Sequence, residues 1–143
     1  MNKIPECFYR VSAKALVLNE TKDKFLIMKE NNDWWDLPGG GLDWGTSPHE
    51  DIPREINEEM SLEVTSISQN PSYFCTNQKP SMQDPSIHYW FGYVFYETTL
   101  KDLNFTPSDE CIEIAFVDKD HLPSEKVHLQ VQNLADMFDP SKH

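Results

Sequence analysis

The sequence predicts an α/β fold in which helices are layered on a mixed β-sheet. Short segments rich in β-branched and aromatic residues predict strands, one helical segment lies between them, and an amphipathic segment ends the chain. The chain of 143 residues is long enough to bury a substantial core. We therefore expect a single domain over residues 1–143.

The predicted strands are separated by polar and turn-forming residues. Residues 7–18 and 25–28 flank a polar turn at residues 19–23, so we expect these two strands to pair as a hairpin. Residues 70–86 contain three prolines and predict a long loop. The other predicted strands cover residues 62–67, 88–96 and 111–117.

Two segments have the apolar spacing of a helix that packs on a sheet. The first covers residues 47–60, with apolar residues every four positions at Ile52, Ile56 and Met60. The second has apolar residues at helical spacing at Val127, Val131, Leu134 and Phe138, with Ser124 as a candidate N-cap and Pro140 beyond its end.

Pro53 leaves two alternatives for the start of the first helix. If Ser47 is the N-cap and Glu50 completes a capping box, Pro53 lies inside the helix and costs roughly 3 kcal/mol or more. If regular helix begins near Asp51, Pro53 falls in the first turn, where its missing N–H is harmless. We favour the second alternative, or a kink.

Composition and charge exclude several classes of function. The formal net charge of −12 opposes binding to nucleic acids and anionic membranes, and it repels a polyphosphate unless a bound cation inverts the local charge. Cys7, Cys75 and Cys111 form no CxxC or zinc spacing, which indicates a reducing compartment. Because the first residues also have no apolar leader segment, we expect a cytoplasmic location.

The first helix carries an acidic group with a chemically informative spacing. Glu55, Glu58 and Glu59 stand at i, i+3 and i+4, which places the three carboxylates within about one quadrant of the helix surface. Mg²⁺ prefers oxygen ligands and would relieve the repulsion between them. The alternative is a solvated acidic face, which is common on helices.

Residues 40–62 resemble the signature of the Nudix hydrolase family. That signature is a glycine, five residues, a glutamate, seven residues, and then Arg-Glu-apolar-x-Glu-Glu-x-Gly-apolar. The positions that match in register are Gly40, Arg54, Glu55, Ile56, Glu58, Glu59 and Leu62. Two positions depart from it, because Thr46 stands where the family has Glu and Ser61 where it has Gly.

The resemblance implies an α/β/α sandwich around a mixed sheet and a Mg²⁺-dependent hydrolase. Such an enzyme would cleave a diphosphate linkage, here in a nucleoside diphosphate joined to another moiety. The partner expected is therefore a small nucleotide-like molecule, with no nucleic acid and no membrane. The oligomeric state cannot be read from the sequence.

The resemblance also assigns roles to individual residues. Glu55, Glu58 and Glu59 are the expected ligands of Mg²⁺ or Mn²⁺, and Arg54 is expected to orient a glutamate through a bidentate pair. Glycine lets the backbone turn tightly and approach the substrate and metal site, and the residues expected to do so are Gly39, Gly40 and Gly41.

The general base has several candidates. Glu110, in the loop before the strand at 111–117, is our first choice, with Glu113 behind it and Glu55 as a further candidate. An ordinary solvated loop carboxylate is an equal alternative for Glu110. Asp51, four residues before Glu55, either offsets the missing carboxylate at Thr46 or is an exposed first-turn residue, and we favour exposure.

A second class of function is a Nudix-fold binding or regulatory module with weak or no catalysis. Thr46 and Ser61 favour that class, whereas the intact Arg54 and the three glutamates weigh against it. Ser61 leaves two structural outcomes open. It adopts the left-handed conformation usual for glycine at a helix end, or the helix ends in another way.

Overall fold

The computed structural model describes residues 9–81 and 83–143 and contains two sheets. The larger sheet has five strands, β1 (Tyr9–Leu16), β4 (Gly39–Gly41), β5 (Val64–Ile67), β6 (Tyr73–Pro80) and β7 (His88–Leu100). The smaller sheet has three, β2 (Phe25–Lys29), β3 (Trp35–Asp36) and β8 (Glu113–Val117). The helices are α1 (Pro48–Met60) and α2 (Leu129–Met137), and a 3₁₀ turn follows at Pro140–Lys142.

The larger sheet is mixed, as predicted. Its strand order is β4-β1-β7-β5, with β6 also paired to β7. The central β1–β7 pair is parallel, while β4, β5 and β6 pair antiparallel with their neighbours. In the smaller sheet, β2 is antiparallel to both β3 and β8.

The two helices cover opposite faces of the sheets. On one face, α1 buries Ile52, Ile56 and Met60 in a core cluster that includes Ala15 and Leu26. On the other face, α2 and the residue after it build a second cluster, with Val131, Leu134 and Phe138 against Phe25 and Phe95. This arrangement confirms the predicted α/β/α sandwich. Neither α1 nor α2, the helices of the described ranges, has the length and apolarity of a membrane span.

The predicted hairpin between residues 7–18 and 25–28 forms only next to its turn, where Leu18 and Phe25 make an isolated antiparallel bridge. The polar turn exists, since the Asn19 N–H donates to the Lys24 carbonyl (3.1 Å) and the Leu26 N–H to the Val17 carbonyl (2.8 Å). Beyond this bridge the chain changes sheet. Both edges of β1 are occupied, one by β4 and the other by β7, so β2 pairs with β3 and β8 instead.

The predicted loop at residues 70–86 is also wrong over much of its length. β6 pairs with β7 along all eight of its residues, and its side chains alternate between partly buried and exposed. Its one proline, Pro80, ends the strand, so no ladder hydrogen bond is lost inside it. Polar residues occur on both faces of β6, with Asn77 and Lys79 partly buried, so the sequence of this strand has no apolar alternation.

The helix starts differ from the predictions as well. α1 begins at Pro48 with Ser47 at the N-cap, so Pro53 lies inside the helix and the predicted start near Asp51 is wrong. Without an N–H, Pro53 cannot bond to the carbonyl four residues earlier, a loss that the burial of Ile52 and Ile56 offsets. α2 begins at Leu129, and its N-cap is His128 rather than Ser124.

Ser61 ends α1 in the left-handed conformation, with φ 56° and ψ 36°, and its N–H donates to the Asn57 carbonyl (2.9 Å). A non-glycine residue pays about 1–2 kcal/mol there, partly balanced by the greater freedom of glycine in the unfolded chain. We expect Ser61→Gly to raise the free energy of unfolding by a few tenths to about 1 kcal/mol in a urea melt. Ser61→Ala, which loses the hydroxyl but keeps the Cβ, should not stabilise; a lower midpoint for Ser61→Gly would contradict the prediction.

Candidate active site

The tight turn between β3 and β4 brings backbone against two glutamates of α1. Gly39 has φ +118°, and a Cβ there would collide with the Ala13 carbonyl oxygen, so only glycine fits. The Gly39 N–H donates to Glu59 Oε1 (3.0 Å), and a Cβ on Gly40 would lie 3.0 Å from the Glu55 carboxylate. Gly39 and Gly40 thus border Glu59 and Glu55 respectively.

Gly41 lies against the side chain of Arg10. A Cβ at Gly41 would overlap the guanidinium of Arg10, whose Nη1 donates to the Leu42 carbonyl (2.9 Å). The third glycine therefore leaves room for Arg10. It does not abut a carboxylate of α1 in the way that Gly40 does.

Glu59 is the most buried of the three glutamates, with 5% of its surface exposed. Burial raises the pKa of its carboxyl to about 8, against the lowering effects of the Gly39 hydrogen bond and the Lys14 charge. The nearby carboxylates of Glu55 and Asp36 raise it further. A bound cation would favour the ionised form, which is the form that ligates a metal.

The charge of Glu110 acts on Glu55. Burial raises the pKa of Glu55, opposed by Arg54, and the charges of Glu58 and Glu110 raise it further. Glu110 itself is exposed on a turn. Glu113, the second candidate for the base, instead forms an ion pair with Lys29 (3.5 Å).

The turn that carries Glu110 is tied to the end of α1. Ser108 Oγ donates to the backbone carbonyl of Glu59 (2.7 Å), and the Glu110 N–H donates to the same hydroxyl (3.3 Å). The Thr106 N–H donates to the Met60 carbonyl (2.9 Å). The Ser108 hydroxyl therefore links the backbone of Glu59, an expected metal ligand, to the backbone of Glu110, the first choice for the general base.

Arg54 contacts a ring of carboxylates on α1 and the loop before it. Its Nη1 lies 3.3 and 3.4 Å from the two oxygens of Glu58. Its Nη2 lies 3.1 Å from Asp43, 3.4 Å from Asp51 and 3.4 Å from Glu55. Glu58 is thus turned toward Arg54 at the exposed edge of the group, and Arg54 touches two expected metal ligands at once.

A polar network on the opposite side of the turn was not predicted. Lys14, 5% exposed, donates to Asp36 Oδ2 (3.3 Å) and to the carbonyls of Leu37 and Gly39 (both 3.2 Å). Gln130 on α2 donates to Asp36 Oδ1 (2.8 Å). The feature of the sequence that indicated this network is Lys14, which lies among the buried residues of β1. A charged side chain is kept in such a place only if it is paired.

Asp36 also belongs to a group with Glu30 and His128, whose ligand atoms lie within 4.8 Å of one another. His128 Nε2 is 2.7 Å from Glu30 Oε1, and Asp36 already accepts from Lys14, Gln130 and the Leu37 N–H (2.7 Å). We interpret this group as an ion-pair network between β2, β3 and α2. It lies beside the glutamates of α1, because the charges of Asp36 and Lys14 both act on Glu59.

Comparison with proteins of known structure supports the fold. A MutT NUDIX hydrolase from Burkholderia pseudomallei superimposes with a TM-score of 0.68, covering 92% of this chain and 99% of that one at 17% identity. A MutT protein from Methanosarcina mazei Go1 gives a TM-score of 0.65, covering 97% and 99% at 22% identity. At these identities the likeness shows a shared architecture.

Sequence relatives cover shorter segments. A Bacillus subtilis (strain 168) protein, whose name of 8-oxo-dGTP diphosphatase is itself provisional, is 36% identical over 84 residues, or 59% of this chain. An RNA pyrophosphohydrolase of Ruthia magnifica subsp. Calyptogena magnifica is 35% identical over 60 residues, or 42% of this chain. The matches span 53% and 34% of the two relatives.

The family model described as NUDIX domain matches residues 8–138, which is nearly the whole chain. That range contains the glycine turn, the acidic helix α1 and both core clusters. The chain belongs to the NUDIX domain family.

Proposed function

We propose that this protein is a Mg²⁺-dependent pyrophosphohydrolase that cleaves a diphosphate linkage in a nucleoside diphosphate joined to another moiety. The observation that carries the proposal is the pair of glutamates on α1, Glu55 and Glu59, held against the backbone of Gly39 and Gly40. Family membership and the names of the relatives, which are diphosphatases and pyrophosphohydrolases, support it.

The glutamates of α1 have the chemistry that a hard divalent cation requires, although in the described residues the ligand atoms of Glu55, Glu58 and Glu59 do not all lie within 4.8 Å of one another. Carboxylate oxygens are the ligands that Mg²⁺ and Mn²⁺ prefer, and we assign Glu55, Glu58 and Glu59 to hold the ion. The cation would neutralise charge on the diphosphate and lower the pKa of a bound water. It would also offset the field of a protein whose net charge is −12.

The protein's own groups then position the reactants and move the proton. We assign Glu110 to accept a proton from the attacking water, because its charge acts on Glu55 and its turn is tied to α1 by Ser108. The water oxygen forms a bond to phosphorus, and the bond from phosphorus to the bridging oxygen breaks. Arg54 keeps Glu55 and Glu58 oriented.

The substrate class follows from the relatives and the charge. Their names describe hydrolysis of a pyrophosphate bond in a nucleotide or in RNA. The acidic surface disfavours a long nucleic acid backbone, so we propose a small nucleotide derivative as substrate. A cytoplasmic location remains a prediction from the cysteine pattern.

The test is a panel of nucleoside triphosphates, nucleoside diphosphate sugars and a 5′-triphosphorylated RNA, each assayed with Mg²⁺ and with excess EDTA. We expect hydrolysis of at least one small nucleotide, loss of activity in EDTA, and recovery on adding Mg²⁺ or Mn²⁺. Nucleotide binding without turnover of any compound would favour the binding or regulatory module instead. Turnover that persists in EDTA would contradict the metal assignment.

A further inference from the structure

Asp51 is a buried carboxylate in the first turn of α1, where the sequence analysis expected an exposed one. Only 2% of its surface is exposed. A charged side chain is kept in such a place only when it is paired and hydrogen-bonded. The partners of Asp51 therefore indicate what it holds.

Three groups from the loop and the helix converge on this carboxylate. Thr46 Oγ1 lies 2.8 Å from Oδ2, the Asp43 N–H donates to the same oxygen (3.2 Å), and Arg54 Nη2 lies 3.4 Å from Oδ1. Burial by itself would raise the pKa of Asp51, but these contacts outweigh it and hold the pKa below its ordinary value. The group is ionised at neutral pH.

Thr46 occupies the position where the Nudix signature has a glutamate. Its hydroxyl points at the carboxylate of Asp51, so a negative charge stands in the place that a longer side chain at position 46 would reach. In this chain the charge comes from the helix rather than from the loop.

Of the four carboxylates around Arg54, the fold fixes Asp51 most firmly. The side chains of Asp43, Glu55 and Glu58 are 62%, 20% and 55% exposed, against 2% for Asp51. Exposed ion pairs hold a long side chain weakly. Because the Asp51 carboxylate is buried and hydrogen-bonded, it can hold the Arg54 guanidinium in one position.

We propose that Asp51, together with Thr46, supplies the carboxylate that the signature supplies at position 46, and that it is a positioning residue for Arg54. Without Asp51, Arg54 would be free to pair fully with Glu55 and Glu58, and so compete with a cation for the same oxygens. The effect on metal binding rests on the proposed function. The effect on Arg54 does not.

The test compares the parent with Asp51→Ala, with the double variant Thr46→Glu/Asp51→Ala, and with Glu50→Ala as control. Glu50 is the exposed carboxylate next to Asp51 in the same turn, so the control removes an equal charge from the helix start. Mn²⁺ binding is measured directly from the electron paramagnetic resonance signal of the free ion. A urea melt of each variant reports folding.

We expect Asp51→Ala to weaken Mn²⁺ binding about tenfold or more, the size usual for residues that orient metal ligands. Moving the charge to position 46 should recover most of this loss, and Glu50→Ala should leave binding unchanged. A merely structural role for Asp51 would not be rescued by a glutamate on the loop. Should Asp51→Ala fail to fold, Asp51→Asn, which keeps the size and removes the charge, replaces it in both backgrounds.

A second readout follows Arg54 without any metal. The chain has two arginines, Arg10 and Arg54, so guanidinium resonances of ¹⁵N-labelled protein are assigned with one Arg10→Lys sample. We expect Asp51→Ala to shift or broaden the Arg54 signals, and the double variant to restore them. Unchanged Arg54 signals in Asp51→Ala, or no rescue in the double variant, would overturn the proposal. A parent that binds no Mn²⁺ yet shows these changes would instead contradict the proposed function alone.

Discussion

Glu59→Gln is expected to lower turnover by at least about a hundredfold in a protein that stays folded. Glutamine keeps the size of the side chain and still offers an oxygen to the Gly39 N–H, so the turn should survive. It cannot ionise, however, and a buried neutral amide is a poor ligand for Mg²⁺. The measurements are kcat at saturating Mg²⁺ and direct Mn²⁺ binding.

Glu63→Gln is the matched control for this variant. Glu63 lies just beyond α1, is exposed, and forms only a surface ion pair with Lys101 (3.6 Å). Exposed ion pairs contribute little to stability. The activity and Mn²⁺ binding of Glu63→Gln should therefore equal those of the parent. Full activity in Glu59→Gln would remove Glu59 from the metal site.

Stability should also distinguish Glu59→Gln from the metal-free parent. The folded pKa of Glu59 is about 8 against an ordinary value of 4.5, so the folded protein binds the extra proton between these values. The parent should therefore lose stability as the pH rises from about 4.5 to about 8, because the buried carboxyl must ionise. Glu59→Gln has no such proton and should show a flatter profile in urea melts with EDTA.

Glu110→Gln is expected to lower kcat by about a hundredfold or more with little change in Mn²⁺ binding. The carboxylate would no longer accept the proton of the attacking water, while Glu55 and Glu59 stay in place on α1. Ser108 bonds to the backbone of the turn, so the substitution leaves that tie intact. The assay separates kcat from KM under saturating Mg²⁺.

Glu113→Gln gives the comparison for the base. Glu113 pairs with Lys29 at the start of β8, and we expect a kcat close to that of the parent. If kcat is normal in Glu110→Gln, the general base is Glu55. If kcat is instead lowered in Glu113→Gln, the general base is Glu113. Weakened Mn²⁺ binding in Glu110→Gln would instead make Glu110 a ligand.

The spacing of residues along the chain was sufficient to predict the acidic helix and the face of it that is buried against the sheet. The spacing of Ile52, Ile56 and Met60 predicted the buried face of α1, and the structure confirms it. The buried face is a property of neighbouring residues along one helix, which the sequence determines directly. For Ser61 the sequence left two outcomes open, and the structure shows the left-handed helix end.

Tertiary structure decided which charges are buried and how the strands pair. Glu58 and Glu59 are adjacent in the sequence, yet Glu59 is buried against Gly39 while Glu58 faces Arg54 and solvent. Asp51 became buried only because the loop at Thr46 folds over it. The environment of a side chain depends on chain segments distant in sequence, which no local spacing reports.

Dependence on distant chain segments also explains why the strand pairing was predicted incorrectly. Composition predicted strands at residues 7–18 and 25–28, and the structure has strands at Tyr9–Leu16 and Phe25–Lys29. Their pairing depends on which edges other strands already occupy. Here the glycine turn at β4 takes one edge of β1 and β7 takes the other. The sequence by itself determined the two helices, most of the strands and the chemical character of the site, and the competition for strand edges and buried space decided their arrangement.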